Sequence, residues 1–258
     1  LNYRTTWQKV RFLFVIYLYR FIFNSNRSAV ICQNHNDKDI LLKQRVSQSS
    51  SIFIIPGSGV NLEFFRPKEN EGKNQNVLMA SRLLKDKGVY EFCAAAQALQ
   101  YHQNNVNFML AGPVDSSSPS AITEDEIKAL CLSSGVDYLG NRKDLNSLLP
   151  LASIFVLPSY YPEGIPKVLL EAASCGIPII TTNHPGCRDA IVDNRTGILV
   201  EPADSKALAD AIELLLSDPK RMLEMGKAGR KMAEELFDEK KVIQSHYKLY
   251  KKYTQRAF

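Results

Sequence analysis

Short apolar runs alternate with helix-like segments from residue 76 to residue 217, and this alternation restricts the possible folds more than any other feature. Three of the runs occupy residues 77–80, 106–111 and 154–157. Runs that are apolar throughout are typical of parallel strands buried on both faces, and the helices between them supply the crossover connections. The sequence therefore predicts an α/β fold with a Rossmann-like, doubly wound parallel sheet.

Polar loops follow the predicted strands, and in open sheets of this kind ligands bind outside the carboxyl ends of the strands. Arg82 and Lys87 lie five residues apart on the first such loop, where a guanidinium and an ammonium group can converge on a diphosphate. Taken alone, this pair is more often solvated surface. The remaining polar positions predicted at the same rim are Gly112, Asn141, Arg142, Glu163 and Gly164.

Residues 161–180 combine a strand end, a Pro/Gly loop, a short helix and a second strand. Free backbone N–H groups at the start of such a helix form an anion site. Glu163 and Glu171 flank that position, and carboxylates beside an anion site are unexpected unless they accept hydrogen bonds from hydroxyl groups. A phosphate together with a polyhydroxyl compound describes a nucleotide sugar.

The excess of positive charge is confined to the first 36 residues. The chain has a net charge of +5, and this segment contains no acid and five cations, namely Arg4, Lys9, Arg11, Arg20 and Arg27. The neutral remainder argues against nucleic-acid binding, which needs a basic face on the body of the protein. Residues 6–23 are predicted to form an aromatic-rich helix. This helix is either buried in a larger domain or docked on an anionic membrane surface.

Neither the cysteines nor the acidic residues at positions 37 and 39 give a strong indication of a metal site. The five cysteines form no C-x-x-C pair, so we expect free thiols in a reducing, cytoplasmic compartment. Asp37 and Asp39 form a D-x-D pattern near His35, but such patterns are frequent by chance and the acids suit a helix N-terminus equally well. We recognise no signal peptide and expect no metal and no cofactor.

Four segments together resemble a known family. They are P-G-S-G-V-N at residues 56–61, S-R-L-L-K-D-K-G at 81–88, the E-x7-E stretch from Glu163 to Glu171, and G-I-P-I-I at 176–180 followed by P-G-C-R at 185–188. In this order they resemble the C-terminal, donor-binding half of retaining glycosyltransferases of family 4, which have the GT-B fold. They look most like bacterial transferases that build polysaccharide repeats on polyprenyl diphosphate. Asn61 departs from the aspartate that the family usually has.

The resemblance implies roles for the residues that contact the donor sugar and diphosphate. Arg82 and Lys87 would bind the diphosphate and stabilise it as leaving group. Glu163 would contact the donor sugar near the reacting centre. The backbone of Gly164 and Ile165 would hold the distal phosphate at the helix start.

The resemblance also implies how the nucleoside is held and how the reaction proceeds. Glu171 would accept hydrogen bonds from the ribose hydroxyls, and Asn141 and Arg142 lie where the base is usually bound. Transfer would retain the anomeric configuration and would need no metal.

The resulting expectation is a glycosyltransferase that moves a sugar from a nucleotide sugar, expected to be uridine-linked, to a polyprenyl-diphosphate-linked or growing glycan. Residues 1–51 would be a remnant of the acceptor-side domain, residues 52–236 the donor-binding domain and residues 237–258 a C-terminal helix. The alternative is a donor-binding half that holds nucleotide without turnover. An epimerase fits less well because the E-x7-E stretch indicates transfer, and a dehydrogenase is disfavoured because no G-x-G-x-x-G follows a strand.

Overall fold

The computed structural model describes residues 6–23, 28–68, 75–100 and 106–254. The helices are α1 (Thr6–Phe23), α2 (His35–Lys43), α3 (Val89–Gln100), α4 (Glu124–Ser134), α5 (Leu145–Leu148), α6 (Lys167–Ser174), α7 (Ser205–Ser217), α8 (Pro219–Met232) and α9 (Glu239–Thr254). The strands are β1 (Val30–Cys32), β2 (Ile52–Ile54), β3 (Gln75–Ala80), β4 (Val106–Ala111), β5 (Val136–Tyr138), β6 (Ile154–Leu157), β7 (Ile179–Thr182) and β8 (Gly197–Val200).

Six strands form one parallel sheet in the order β5-β4-β3-β6-β7-β8. The chain advances outward from β3 in one direction and then returns to β6 and advances in the other. Because crossover connections keep one handedness, the helices of the two halves cover opposite faces. This order confirms the predicted Rossmann-like fold, and it places the topological switch point between β3 and β6, where ligands bind in such sheets.

The central strands are buried because their side chains are apolar on both faces. All four residues of β6 and the last four of β3 are buried, and Phe92 of α3 packs edge-to-face on Phe108 of β4 with ring centroids 5.9 Å apart. Helix starts follow local capping chemistry. Thr123 and Glu126 form a capping box at α4, and Asp204 accepts from the N–H of Ala207 at α7.

From the sequence, Asp144 is predicted to cap a short helix that runs through Leu149, and this prediction is wrong. The side chain of Asp144 makes no capping hydrogen bond. Its carboxylate instead accepts two hydrogen bonds from the guanidinium of Arg142, at 2.8 and 2.5 Å. A bidentate guanidinium is a stronger partner for a carboxylate than a single backbone N–H.

β1 and β2 form a separate two-stranded parallel sheet, with Val30 opposite Ile52 and Cys32 opposite Ile54. The sequence-based division at residues 51/52 assigns β2 to the large unit, whereas the hydrogen bonds join it to β1. The apolar run at residues 52–55 predicts a strand, which is present as β2, but the composition of the run does not indicate its pairing partner. α2 follows β1 directly and is capped by Asn34, whose side chain accepts from the N–H of Asp37.

The D-x-D pattern lies in this helix start. The amide of Asn34 donates to the carboxylate of Asp37 at 3.0 Å, so the helix N-terminus accounts for that acid. Among the described residues, no group of three or more His, Cys, Asp or Glu side chains is placed to hold a metal ion.

In the C-terminal region the sequence predicts two separate helices, at residues 219–225 and 228–235, whereas the structure has one. α8 runs without a break through Gly226 and Gly229 and continues as a wider turn over Ala233–Phe237. A β-carbon on Gly226 would lie 2.0 Å from the carbonyl oxygen of Gly176. The glycine therefore permits close packing of the helix on a neighbouring loop and does not end it.

α1 is helical as predicted and is covered little by the rest of the chain. Ile16 is buried, whereas Trp7, Phe14, Tyr17 and Phe21 are between 60% and 84% exposed. No helix among the described residues is long and apolar enough to cross a bilayer. The aromatic surface of α1 is compatible with both predicted environments, a larger domain and a lipid surface.

Candidate functional site

A cavity of about 340 Å³ opens at the carboxyl ends of β3, β4 and β6, at the switch point of the large sheet. Its charged lining consists of four cations and one carboxylate, so the cavity favours an anion. Those charged residues are Arg82, Lys87, Arg142, Lys167 and Glu163. The rest of the lining is small or apolar, including Ala80, Gly112, Pro113, Leu145 and Pro166.

Lys87 is the most buried cation of the cavity, since the protein surrounds it almost completely. It is 5% exposed, and its Nζ contacts Oε1 of Glu163. The same Nζ lies 4.9 Å from the ring centroid of Tyr161, within the range of a cation–π interaction. A buried ammonium group with one carboxylate partner and an open cavity beside it is arranged to receive a second anionic ligand.

The loop that carries Glu163 is hydrogen-bonded to the loop that carries Lys87. The N–H of Tyr160 and the hydroxyl of Ser159 both donate to the carbonyl oxygen of Asp86, at 2.9 and 3.3 Å. The N–H of Tyr161 in turn donates to the hydroxyl of Ser159 at 3.2 Å. These bonds hold the loops after β3 and β6 together and so fix the contact between Lys87 and Glu163.

Arg82 lies at the more open side of the cavity. Its Nη1 is 2.9 Å from Oδ2 of Asp115, and its guanidinium carbon lies 5.5 Å from the ring centroid of Tyr161. Hydrogen bonds to Asp115 and Tyr161 raise the pKa of Arg82. The hydroxyl of Ser117 and then Arg82 lower the pKa of Asp115, so this carboxylate stays ionised.

Glu171 is buried in α6 one turn beyond Lys167. It is 9% exposed, and burial raises its pKa while the positive charge of Lys167 opposes that shift. Lys167 lines the cavity and Glu171 does not. A carboxylate held in this way is a strong acceptor for a hydroxyl that reaches it, but the described structure brings it only to the edge of the site.

The backbone of Gly164 and Ile165 lies immediately before α6, as predicted, but neither residue lines the cavity. The N–H of Ile165 already has a partner, because it donates to Oε1 of Gln33 at 3.2 Å. Gln33 belongs to the segment between β1 and α2, outside the large sheet.

Of the two residues predicted to bind the base, only one lines the cavity. Arg142 lines the cavity, whereas Asn141 is exposed and does not line it. The ion pair between Arg142 and Asp144 is also exposed, with 39% and 47% of the two side chains accessible. Base recognition by these residues stays a prediction.

The structure brings residues to the site that sequence reasoning did not select. Tyr161 contacts both cations, Asp115 pairs with Arg82, and Lys167 lines the cavity. Position at the carboxyl end of a strand is a signal that could have selected the first two, since they follow β6 and β4. No local signal could have selected Gln33, because its place beside Ile165 depends on how two distant segments pack.

A second cavity of about 610 Å³ lies at the opposite, amino-terminal edge of the sheet. Four prolines line it, and so do the cations Lys68, Lys227 and Arg230. Nη1 of Arg230 donates to the carbonyl oxygens of Ser174 and Phe65 at 2.7 and 3.1 Å. This guanidinium therefore ties backbone segments together and is not directed to a ligand.

Comparison with known proteins gives the same fold and family. Residues 61–232 match the family model described as glycosyl transferases group 1. The chain is 35% identical over 248 residues to an N,N'-diacetylbacillosaminyl-diphospho-undecaprenol α-1,3-N-acetylgalactosaminyltransferase of Campylobacter jejuni, covering 91% of this chain and 60% of that protein. It is 29% identical over 204 residues to a UDP-Gal:α-D-GlcNAc-diphosphoundecaprenol α-1,3-galactosyltransferase of Escherichia coli, covering 73% and 51%.

Among solved structures, a sucrose-phosphate synthase from Thermosynechococcus elongatus superimposes with a TM-score of 0.79 at 26% identity, covering 93% of this chain and 62% of that one. The chain thus spans between about half and three fifths of the length of these proteins. The match of the family model over most of the chain and the Rossmann-like sheet agree, and the chain belongs to the group 1 glycosyl transferases, which have the GT-B fold.

Proposed function

We propose that this chain binds the donor of a glycosyl transfer, a sugar linked to uridine diphosphate, in the cavity between β3 and β6. The observation that carries the proposal is the charge of the cavity, four cations around one carboxylate, with Lys87 buried against Glu163. The names of relatives support the donor class, since the Escherichia coli relative is a UDP-Gal-dependent galactosyltransferase.

The cations of the site act on the leaving group. As the glycosidic bond breaks, negative charge develops on the diphosphate, and Lys87 and Arg82 stabilise that charge where they already stand. Preorganised donors of this kind contribute about 10²–10³ in rate each. The N–H groups of Gly164 and Ile165 bind the distal phosphate at the start of α6, where the helix dipole favours an anion.

The carboxylates hold the neutral parts of the donor. Glu163 accepts from sugar hydroxyls near the reacting carbon, and Glu171 accepts from the ribose hydroxyls. Asn141 and Arg142 hold the uracil ring. The reaction retains the anomeric configuration, as in family 4, and it uses neither a metal ion nor a cofactor.

The acceptor is a polyprenyl-diphosphate-linked or growing glycan. Two relatives are named for diphospho-undecaprenol-linked acceptors, which supports this class. Such acceptors lie at a membrane surface, so we place the protein in the cytoplasm and in peripheral contact with the inner face of the membrane. The exposed aromatic side chains of α1 and the cations Lys9, Arg11 and Arg20 provide that contact.

Isothermal titration of the purified chain with UDP, UMP and a panel of UDP-sugars, each with and without a metal chelator, tests donor binding. We expect UDP to bind, UMP to bind more weakly, and the chelator to change neither. An absence of heat with every uridine nucleotide would contradict the proposal.

Transfer to a synthetic polyprenyl-diphosphate sugar then separates an enzyme from a binding module. Retaining transfer is supported if the NMR coupling constant of the anomeric proton shows the same anomeric configuration of the transferred sugar in the product as in the donor. UDP binding without any product would support the alternative of a donor-binding half that turns over nothing by itself. Sedimentation with vesicles of anionic or neutral lipid tests the membrane contact.

A further inference from the structure

Gln33 reaches from the end of β1 to the loop that precedes α6. Its Oε1 accepts from the N–H of Ile165 at 3.2 Å. The same oxygen lies 2.0 Å from the place where a β-carbon on residue 164 would stand, so only a glycine there permits the approach. The side chain therefore packs directly on the short backbone segment that the proposed function assigns to the distal phosphate.

A carboxamide oxygen and a phosphate oxygen compete for the same hydrogen. A backbone N–H carries a single donor, and it can make one well-aligned hydrogen bond at a time. The bond to Gln33 therefore has to be exchanged for a bond to phosphate when the donor arrives.

We propose that Gln33 is a specificity-determining residue that occupies the phosphate position in the free protein and lowers its affinity for diphosphates. This inference rests on the proposed function, because it concerns the phosphate subsite of the same donor. It assigns a role to the segment that contains β1, α2 and β2, none of whose residues lines the cavity between β3 and β6.

The structure also provides space for the displaced side chain. Gln33 lines a third cavity of about 380 Å³ between the turn at Gly57 and Ser58 and helix α9. His246, Tyr247 and Tyr250 supply polar atoms there. The carboxamide can leave Ile165 without being buried unsatisfied, which would otherwise make the exchange costly.

The exchange has a predictable size. A net hydrogen bond in a protein contributes about 0.5–1.5 kcal/mol, which corresponds to roughly a twofold to twelvefold change in affinity. Removing the internal competitor should strengthen binding of any ligand that uses the N–H of Ile165. Ligands without a distal phosphate should not respond.

Replacing Gln33 by methionine tests this, because methionine keeps the length of the side chain and removes both polar atoms. Titration with UDP should give a Kd about twofold to tenfold lower than wild type, and titration with UMP should give an unchanged Kd. The matched control is Gln48→Met, since Gln48 is an exposed glutamine between α2 and β2. This substitution should leave the Kd for UDP and the Kd for UMP unchanged.

A second variant, Gln33→Glu, places a charged competitor at the same position. UDP should bind about tenfold more weakly at pH 8, because the carboxylate accepts from Ile165 and repels the diphosphate. Affinity should recover at a pH low enough to protonate the new side chain. Thermal unfolding of both variants establishes that the measurements refer to folded protein.

Three outcomes would overturn the inference while leaving the proposed function intact. They are an unchanged Kd for UDP in Gln33→Met, equal shifts for UDP and UMP, and a weaker binding of UDP that would make Gln33 a ligand of the donor. If wild-type protein binds no UDP, the proposed function fails and the inference fails with it.

Discussion

The two edges of the large sheet both carry a cavity with cations, yet they are built for different purposes. The cavity at the amino-terminal edge is larger, about 610 Å³ against about 340 Å³. Its cation Arg230 is bonded to backbone carbonyl oxygens, whereas Lys87 at the carboxyl edge contacts a side chain beside open space. The cations of the two cavities differ in their partners, and this difference, rather than the size of the cavity, is the basis for expecting a ligand at the carboxyl edge.

The difference follows from the direction of the strands. At the carboxyl edge, the loops after β3, β5 and β6 each contribute a charged side chain to the cavity lining, and the loop after β4 contributes Gly112 and Pro113. At the amino-terminal edge, chain segments return to the sheet through short turns that contain Pro150 and Pro178. Arg230 donates to backbone carbonyl oxygens beside this cavity.

Among the variants that test the contrast between the two cavities, we expect Lys87→Met to change UDP affinity most. The diphosphate loses its most buried cation and Glu163 loses its partner, so the Kd for UDP should rise by about 30-fold or more, equivalent to at least about 2 kcal/mol. Isothermal titration measures the change. Lys227→Met removes a cation from the other cavity and should leave the Kd within about twofold. Similar losses in the two variants would erase the distinction between the cavities.

Arg230→Met should lower the stability of the protein and leave its affinity for UDP unchanged. Several carbonyl oxygens lose a charged donor, so the free energy of unfolding should fall by about 2–3 kcal/mol. Urea denaturation followed by circular dichroism measures this fall, again with Lys227→Met as the control. The Kd for UDP of the folded variant should be unchanged. If the Arg230→Met protein were stable but no longer bound UDP, UDP would bind at the amino-terminal edge of the sheet, contrary to the proposal.

Glu171→Gln should lower affinity and raise stability in the same molecule. The neutral amide is a weaker acceptor for the ribose hydroxyls, and we expect the Kd for UDP to rise about tenfold. Uracil or inorganic diphosphate, which lack ribose, should bind equally to variant and wild type. If both ligands lose affinity to the same extent as UDP, Glu171 acts through the fold rather than through the ribose.

The difference in stability between this variant and the wild type should depend on pH in a defined direction. Burial raises the pKa of Glu171 in the folded state above its unfolded value, so the folded state binds the proton more tightly. Its contribution to stability is complete below the unfolded pKa and is lost as the pH rises through the folded pKa. Glutamine does not ionise, so Glu171→Gln should be more stable than wild type above that window and not below it. Urea titrations at a series of pH values measure the difference.

The smallest effect is expected for Tyr161. Its ring lies against both Lys87 and Arg82, and an exposed cation–π contact contributes about 0.5–1 kcal/mol. Tyr161→Leu should therefore raise the Kd for UDP about threefold, and Tyr161→Phe, which keeps the ring, should stay within about twofold. Equal effects in the two variants would assign the role to the hydroxyl instead.

The sequence predicted the large sheet well because its signals are local. The strands at residues 106–111 and 154–157 are apolar runs, and the structure has strands with those bounds. Arg82, Lys87, Arg142 and Glu163 line one cavity, as expected of loops that follow parallel strands.

Predictions failed where packing between distant segments decided the outcome. β2 pairs with β1 although nothing in its own sequence selects that partner. The predicted break between helices at residues 219–225 and 228–235 is absent, and Gly226 fits the continuous helix closely against Gly176. Gln33 lies beside Ile165 only because the small sheet packs at the start of α6. Contacts of this kind depend on the three-dimensional arrangement and leave no periodic trace in the chain.

The exposed helix α1 also gives the protein an optical reporter. Trp7 is the one tryptophan of the sequence, and it is 84% exposed on α1, on a segment that contributes nothing to the donor cavity. Its fluorescence should emit at the long wavelengths of a hydrated indole and shift to the blue when the helix is covered by lipid or by protein. UDP should leave the spectrum unchanged. One emission band would thus report events at the N-terminal helix separately from events at the proposed nucleotide site, without any label.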